Sequence, residues 1–453
     1  MDERQPLSLG VEADLEGQPC PPHIIRWLAS LPSDALGILD RLARAGHGAW
    51  LVGGCVRDAW LQQAGDDIDM CTTATPDEVM LLFSQRAIAT GIDFGTVTIK
   101  GDARHYEVTT CRTESLYRDG RRPDQVAWGT SLKEDLSRRD FTFNSMAVDV
   151  ARARFYDPYN GVGDLNMQRV RAVGDANVRC EEDALRILRA YRFLDQSESA
   201  LRTMDPALQG AVRNARDRLS MVAVERKWIE MQKMLAGPCA GAVLREMACD
   251  GVLSAVFEQC SIIDPAMFSL LDDERIHPVS LAEQLALLMS QHDGRALLNQ
   301  LEALKVPKKL MKETLQVHER LAHLPGTTKP ELRVFDHVMG DAAGSHLRIR
   351  CGFQRMNIAK VGGRILEGDA LLVHDAWQSL PTRQSPERCL VDGHWLMERT
   401  ALAEGMKLGR LKSWIHRLQI EEDVTEPSEM ERILARLPYV HGDYESWPRL
   451  EFP

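Results

Sequence analysis

Trp50, Leu51 and Val52 form a short apolar run that reads as a strand, and Gly53-Gly54 ends it before a segment able to open a helix. Upstream, Leu36, Leu39 and Leu42 recur at helical spacing between a possible Ser33 N-cap and Gly46, which predicts a helix over 33–45 packed under that strand. Downstream, Asp67-Ile68-Asp69-Met70 alternates as a strand does, turning Ile68 and Met70 inward and both carboxylates to the opposite face. Thr75-Pro76-Asp77-Glu78 has the form of a capping box with proline at the first helical position, so a helix should cover 76–83. Strand patterns follow at 95–100 and 106–110, across the turn-like Gly101-Asp102. From 181 onward Leu185, Leu188 and Phe193 trace an amphipathic helix whose other face carries Arg186, Arg189 and Arg192. Beyond Gly237 the pattern is helical, as at 280–289 and 295–304.

Length changes this picture first: 453 residues exceed one ordinary core and imply roughly two to four domains. With 44% hydrophobic and 27% charged residues the composition is that of a globular protein. No apolar run approaches a membrane span, and the first residues lack both a basic start and an apolar segment, so the expectation is a cytoplasmic protein with a flexible leader over 1–22. The ten cysteines show no CxxC or CxxH spacing and read as reduced structural thiols without a zinc site. A formal charge of -11 argues against a general nucleic-acid coat, so an RNA partner would need local basic patches.

The chemistry concentrates between residues 51 and 144. Gly53 and Gly54 let the backbone approach a ligand ahead of a helix start, which suits a phosphate. Asp67 and Asp69 on one strand face make a seat for a hard divalent cation. Glu107, between Tyr106 and Val108, is the best-placed third carboxylate, or else a glutamate on the open face of a sheet. Singly these signals are weak. In the order strand, GG, Arg57-Asp58, DxD, Thr72 they resemble the nucleotidyltransferases related to DNA polymerase beta, and within them the bacterial-type tRNA CCA-adding enzymes and poly(A) polymerases.

The resemblance extends along the chain. DGRRPDQV at 119–126 is similar to the DGRxPDxV of the flexible loop that lets the site move from cytidine to adenosine, and it speaks against a relative that adds only CC. Arg138-Arg139-Asp140-Phe141-Thr142-Phe143-Asn144 resembles RRDFTxN. There Arg139 can meet a triphosphate and Asp140 and Asn144 a ribose hydroxyl, while Phe141 and Phe143 read as core. Asp157-Pro158-Tyr159-Asn160-Gly161 matches DPxxG, a hinge between catalytic head and helical neck.

Glu182-Asp183-x-x-Arg186 looks like the family's EDxxR. Cytosine and adenine share an amino donor beside a ring-nitrogen acceptor, whereas uracil and guanine present an oxygen acceptor beside an N–H donor. A carboxylate with a guanidinium complements the first pattern and clashes with the second. The plain alternative for Asp183 and Arg186, three apart on a helix, is a surface ion pair worth under ~1 kcal/mol. By resemblance Arg189 and Arg192 also contact the nucleotide; otherwise they are the wet face of an amphipathic helix. Residues 219–235 resemble the later SxERxxxEL motif, with Glu225, Arg226 and Glu230 bracing the base-reading helix.

The fold implied is α+β: a small mixed-sheet nucleotidyltransferase head over 23–150, then an all-helical neck (151–237), body (238–385) and tail (386–453). The resemblance implies CCA addition to the tRNA 3' end from CTP and ATP, with two Mg2+ held by Asp67, Asp69 and Glu107, and with Gly54, Arg57 and Arg139 cradling the triphosphate. A poly(A) polymerase, the A-adding member of a split CC/A pair, and an inactive RNA-binding relative are the rivals. Lys305, Lys308, Lys309 and Lys312 fit either a path for RNA phosphates or a solvated helix end. Lys407, Arg410, Lys412 and Arg417 offer a tail surface for the tRNA elbow; His374-Asp375 lacks the partners of a hydrolase metal site and reads as structural; 442 onward reads as loose.

Overall fold

The computed structural model describes residues 6–63, 65, 67–92, 95–117, 123–195, 201–257, 264–440 and 443–452, with backbone alone for 113–117 and 123–127. The chain divides into two compact units, Met1–Cys239 with Val243–Glu258, and Ala240–Ala242 with Gln259–Pro453.

The first unit begins with β1 (Gln18–Pro19), α1 (Pro22–Ser30), α2 (Ser33–Arg44), β2 (Ala49–Val52), α3 (Gly54–Trp60), β3 (Asp69–Thr72), α4 (Pro76–Leu82), β4 (Ala87–Gly91), β5 (Thr96–Lys100) and β6 (His105–Thr110). The hairpin β7 (Arg112–Tyr117) and β8 (Pro123–Trp128), α5 (Leu132–Ser137), β9 (Ala147–Asp149), β10 (Arg154–Tyr156) and α6 (Gly161–Asn166) follow. Then come β11 (Arg169–Val170), α7 (Ala176–Glu182), α8 (Leu185–Arg192), β12 (Thr203–Met204), α9 (Pro206–Ala215) and α10 (Val224–Leu235).

Among the described residues the head is an eight-stranded mixed sheet in the order β1-β10-β9-β2-β3-β6-β5-β4, in which β3 and β6 run parallel. The apolar run that predicts β2 is its centre: Trp50, Leu51 and Val52 are buried, with Met70 and Cys71 beside them on β3. Each such side chain stabilises by about 1.5–3 kcal/mol. The capping box at Thr75 and Glu78 forms as the sequence predicts. At α2 the cap is Pro32 in place of Ser33, which is the first helical residue; Asp34 accepts from Tyr106 Oη at 2.6 Å and from the Asp102 backbone N–H at 3.0 Å, tying α2 to the β5–β6 turn. Phe141 and Phe143 are core, as expected. The Asp157 carboxylate caps the Gly161 and Val162 backbone N–H groups, fixing the DPYNG turn.

Several expectations are corrected. β3 begins at Asp69, so Asp67 precedes the strand and the pleat does not align the two acids. The helix expected from 181 breaks at Asp183, which is extended (φ -144°, ψ 102°) and accepts the Leu185 backbone N–H at 3.1 Å. Aspartate here competes with the helix for a backbone donor and restarts it as α8. Residues 6–22 are no loose leader: Ser8 N–H donates to Asp40, Arg152 Nη2 donates to Gly10 O, and β1 pairs with β10. Residues 243–257, expected in the body, group with the first unit, where buried Asp250 accepts Tyr191 Oη–H at 2.7 Å. Of the DGRRPDQV loop, residues 119–122 lie outside the described residues, while 123–126 belong to β8.

The second unit is helical. One cluster gathers Leu332, Phe335, Ala343, Leu347 and Val373; another gathers Leu396, Leu411, Ile415, Met430 and Ile433. The C-terminal residues are packed, not loose, from 443 to 452: Trp447 joins the second cluster and Phe452 meets Phe335 edge-on at 4.9 Å. Lys308, Lys309 and Lys312 lie on Lys308–Arg320; Lys407, Arg410, Lys412 and Arg417 lie on Met406–Glu422, where Glu421 already pairs with Arg417. His374 and Asp375 stand 3.9 Å apart on Ala370–Gln378. Among the described residues no helix is long and apolar enough to cross a membrane.

Candidate active site

The end of β2 opens the site. Gly53 has φ +76°, and a Cβ there would lie 2.8 Å from Arg139 Nη1 and 3.8 Å from Asp69 Oδ2. Any side chain would strain the backbone and fill the space between a guanidinium and a carboxylate. Parallel pairing of β3 with β6 sets Asp69 beside Glu107 in register. These residues border a cleft of about 570 Å³, and every site residue read from the sequence lines it: Asp67, Asp69, Glu107, Gly53, Gly54, Arg57, Arg139, Asp140, Asn144, Asp183, Arg186, Arg189 and Arg192.

One wall is acidic. Burial raises the Asp69 carboxyl above its ordinary value; Arg139 opposes the shift, and Glu107 and Asp67 add to it. Three acids crowded on one wall, with oxygen donors alone, suit a hard divalent cation. Among the described residues, however, no three His, Cys, Asp or Glu side chains converge closely enough to hold a metal by themselves. Asp69 and Glu107 are neighbours in the β3–β6 register, while Asp67 lines the same cleft from just ahead of β3.

The rest of the cleft's charged lining is mostly arginine, and those arginines are locked. Arg57 donates to Asn144 Oδ1 at 2.7 Å and pairs with Asp58; Asn144 Nδ2 donates to Asp140 at 3.0 Å; Arg189 Nε donates to the other Asp140 oxygen at 2.7 Å. Burial pushes the Asp140 carboxyl up, but Arg189 and the Asn144 amide outweigh it and hold it at about 2. Asp140 and Asn144, expected to meet a ribose, thus spend these bonds placing Arg189 and Arg57. Arg139 is held by Asp135, which is fully buried, at 3.1 Å. Arg192 pairs with buried Glu230 at 2.6 Å, and Arg189 reaches the same carboxylate at 3.6 Å. Phe193 lies within 4.1 Å of Arg192, 5.2 Å of Arg57 and 5.6 Å of Arg189, so an aromatic face spaces the three guanidiniums. Arg189 and Arg192, for which a wet helix face was the alternative to nucleotide contact, are partly buried, paired and line the cleft.

Asp183 and Arg186 both face the cleft, yet they do not pair with each other. Asp183 takes Arg226 through both oxygens, at 2.7 and 3.3 Å; Arg186 takes Glu182 at 2.7 Å and the Arg138 carbonyl at 2.8 Å. The helix break at Asp183 turns the two side chains to separate partners. Arg226 on α10 pairs with Asp183, and Glu230 with Arg192 and Arg189, tying α10 to α8 and to the helix break before it. Sequence reading missed Lys233, which also lines the cleft. Its signal was present: Arg226, Glu230 and Lys233 fall at i, i+4, i+7 on α10.

Residues 49–171 match the family described as the poly A polymerase head domain, and 203–263 match the probable RNA and SrmB-binding site of polymerase A. The CCA-adding enzyme of Lactobacillus johnsonii is 31% identical over 85% of this chain and 92% of its own length. That of Lactiplantibacillus plantarum is 44% identical over 47% of this chain and 53% of its own. The crystal structure of the Bacillus stearothermophilus CCA-adding enzyme in complex with CTP superposes with a TM-score of 0.70 at 27% identity, covering 92% of this chain and 99% of that one. A cleft lined by acids and arginines, in a chain of which the Lactobacillus johnsonii enzyme matches 85% at 31% identity, leaves one assignment: the chain belongs to the CCA-adding enzymes, RNA nucleotidyltransferases built on a poly A polymerase head.

Proposed function

We propose that the protein restores the CCA end of tRNA, adding nucleotides from CTP and ATP to a terminal 3' hydroxyl. The observation that supports this reading best is a single cleft lined both by Asp69 and Glu107, neighbours in the β3–β6 register, and by Asp183 and Arg186, so that transfer and base reading share one site. Asp67, Asp69 and Glu107 would hold two Mg2+ ions, whose chemistry is to acidify the attacking hydroxyl and offset the charge of departing pyrophosphate.

The chain's own residues do the rest. Gly53 and Gly54 admit the triphosphate close to the backbone; Arg57 and Arg139, already fixed by Asp58 and Asp135, meet it without further ordering. Asp183 accepts from the exocyclic amino group of cytosine or adenine, and Arg186 donates to the ring nitrogen, so side chains take the place of a template strand. Both are committed to Arg226 and Glu182 in the structure, and those partners hold them in position until a base exchanges with them. The cytoplasm, where tRNA and both nucleotides meet, is the setting for this activity.

The test supplies purified protein with tRNA lacking its 3' end and each labelled nucleotide in turn. Addition confined to C, C and A supports the proposal; long adenosine tracts on unrelated RNA overturn it in favour of poly(A) synthesis.

A further inference from the structure

The second unit holds a cluster of cations that its own carboxylates leave largely unneutralised. Arg350, on the helix Ala342–Arg355, is 3% exposed and donates to two backbone carbonyls, Leu321 O at 3.0 Å and Glu367 O at 2.9 Å. Its Nε has no hydrogen-bond partner among the described residues, and burial pulls its pKa down to about 10 with no carboxylate opposing the shift. Arg364, exposed in the hairpin of Lys360–Val361 and Arg364–Ile365, donates to His323 Nε2 at 3.0 Å. Buried His346 donates from Nε2 to His323 O at 3.0 Å, which fixes the backbone there. Burial, with Arg364 added to it, disfavours the protonated form of both His318 and His323. Exposed Glu319 is the carboxylate that opposes this at His323.

Beside the cluster lies a cavity of about 230 Å³, lined by polar Arg364, His318 and Glu319 and by apolar Leu315 and Val361. His318 is 5% exposed, and its Nε2 has no hydrogen-bond partner among the described residues. Gly362 has φ +60°, and a Cβ there would lie 2.9 Å from His318 Cε1, so glycine lets the hairpin approach this ring. We propose that the cavity binds a small phosphate monoester, with the dianion on Arg364 and His318 and the hydroxyl-bearing carbons against Glu319, Leu315 and Val361.

Charge, size and the acid together select that ligand. A buried cation without a counter-ion is costly, and a bound dianion offsets it. The same dianion reverses the effect of Arg364 on His318 and His323, making charged donors of rings that burial and Arg364 otherwise hold neutral. Arg364 spends one N–H on His323, which orients its planar fork and leaves the others for phosphate oxygens. A volume of about 230 Å³ lies below the roughly 300–1,000 Å³ of sites for drug-sized ligands, so it suits one phosphate with a few carbons and is too small for a nucleotide. Glu319 repels a strand of serial phosphates, yet it accepts from a hydroxyl of a small ester.

The test adds glycerol 3-phosphate to the full chain, with CTP at saturation so that the arginines of the nucleotide cleft are occupied. The ester should raise the thermal unfolding midpoint, and glycerol alone should not. Arg364→Ala should weaken binding about 10- to 100-fold, the loss of one charged hydrogen-bonded contact, and Gly362→Ala should abolish it by displacing His318. With isotope-labelled histidine, the ring signals of His318 and His323 should move toward the imidazolium form as the ester is added. No midpoint shift in wild type up to about 10 mM ester overturns the proposal, as do ring signals that stay unmoved. Binding that stays within about twofold in Arg364→Ala places the ester elsewhere and also overturns it. A shift that depends on Arg364 but comes from duplex RNA and not from glycerol 3-phosphate assigns the cavity to an RNA backbone, and the small-ligand reading fails. Arg364 is exposed, so its loss leaves the fold intact, and the histidine signals of wild type decide the matter if Gly362→Ala does not fold.

Discussion

The two walls of the cleft are built on opposite electrostatic plans. Arg57, Arg139, Arg186, Arg189 and Arg192 each meet a protein carboxylate, from Asp58, Asp135, Glu182, Asp140 and Glu230. None of those ion pairs reaches Asp67, Asp69 or Glu107. The difference teaches where each wall gets its order. The basic wall is finished by folding, so it can hold a triphosphate and read a base without rearranging long side chains. On the acidic wall burial weighs against ionising Asp69, Glu107 and Asp67 add to that, and Arg139 and Arg57 only partly offset it.

That contrast can be broken in order of expected size. Asp69→Asn should cut nucleotide addition on the order of 10³-fold. It should leave thermal stability equal or higher, because a carboxyl with a raised pKa opposes folding above its ordinary titration range. A parallel loss of activity and stability would mean that the acidic wall is structural. Glu230→Ala should do the reverse: stripping a buried carboxylate from Arg192 and Arg189 should cost about 3–5 kcal/mol in chemical unfolding, with activity falling as the basic wall loosens.

Asp140 gives the pH version. Its folded value of about 2 lies below the ordinary 3.8, so its contribution is fully present above about pH 4 and is lost as pH falls through 2. The shift corresponds to about 2 kcal/mol. Asp140→Asn should therefore unfold more easily than wild type by about that amount at pH 6, and the gap should close toward pH 2. A gap that persists there would assign Asp140 some other role. Lys233→Ala should be smallest, raising KM for the nucleotide about threefold with kcat held, since a single partly solvated charge contributes under ~1 kcal/mol.

Much of the site was legible because its signals are local. The strand that ends at Gly53, the carboxylate at Asp69 and the motif around Arg139 each depend on residues close in sequence, and all of them line one cleft. What escaped depends on distance. Arg226 stands 43 residues from the Asp183 it holds, and periodicity runs through Asp183 without registering that its carboxylate takes the Leu185 backbone N–H where the helix breaks. Asp67 alternates with Ile68 as strand residues do, yet pairing with β2 begins only at Met70, so pattern alone misplaced it. Residues 6–22 looked loose for the same reason: Ser8 is fixed by Asp40, 32 residues away, and Gly10 by Arg152, 142 residues away.

The central claim is that side chains on the basic wall choose the base. Its most direct measurement is the ratio of kcat/KM for CTP to that for UTP, in wild type and in Asp183→Ala. The account predicts that removing the carboxylate lowers this ratio by about tenfold or more, the value of one lost base-edge contact. An unchanged ratio, with CTP addition merely slower, would contradict it.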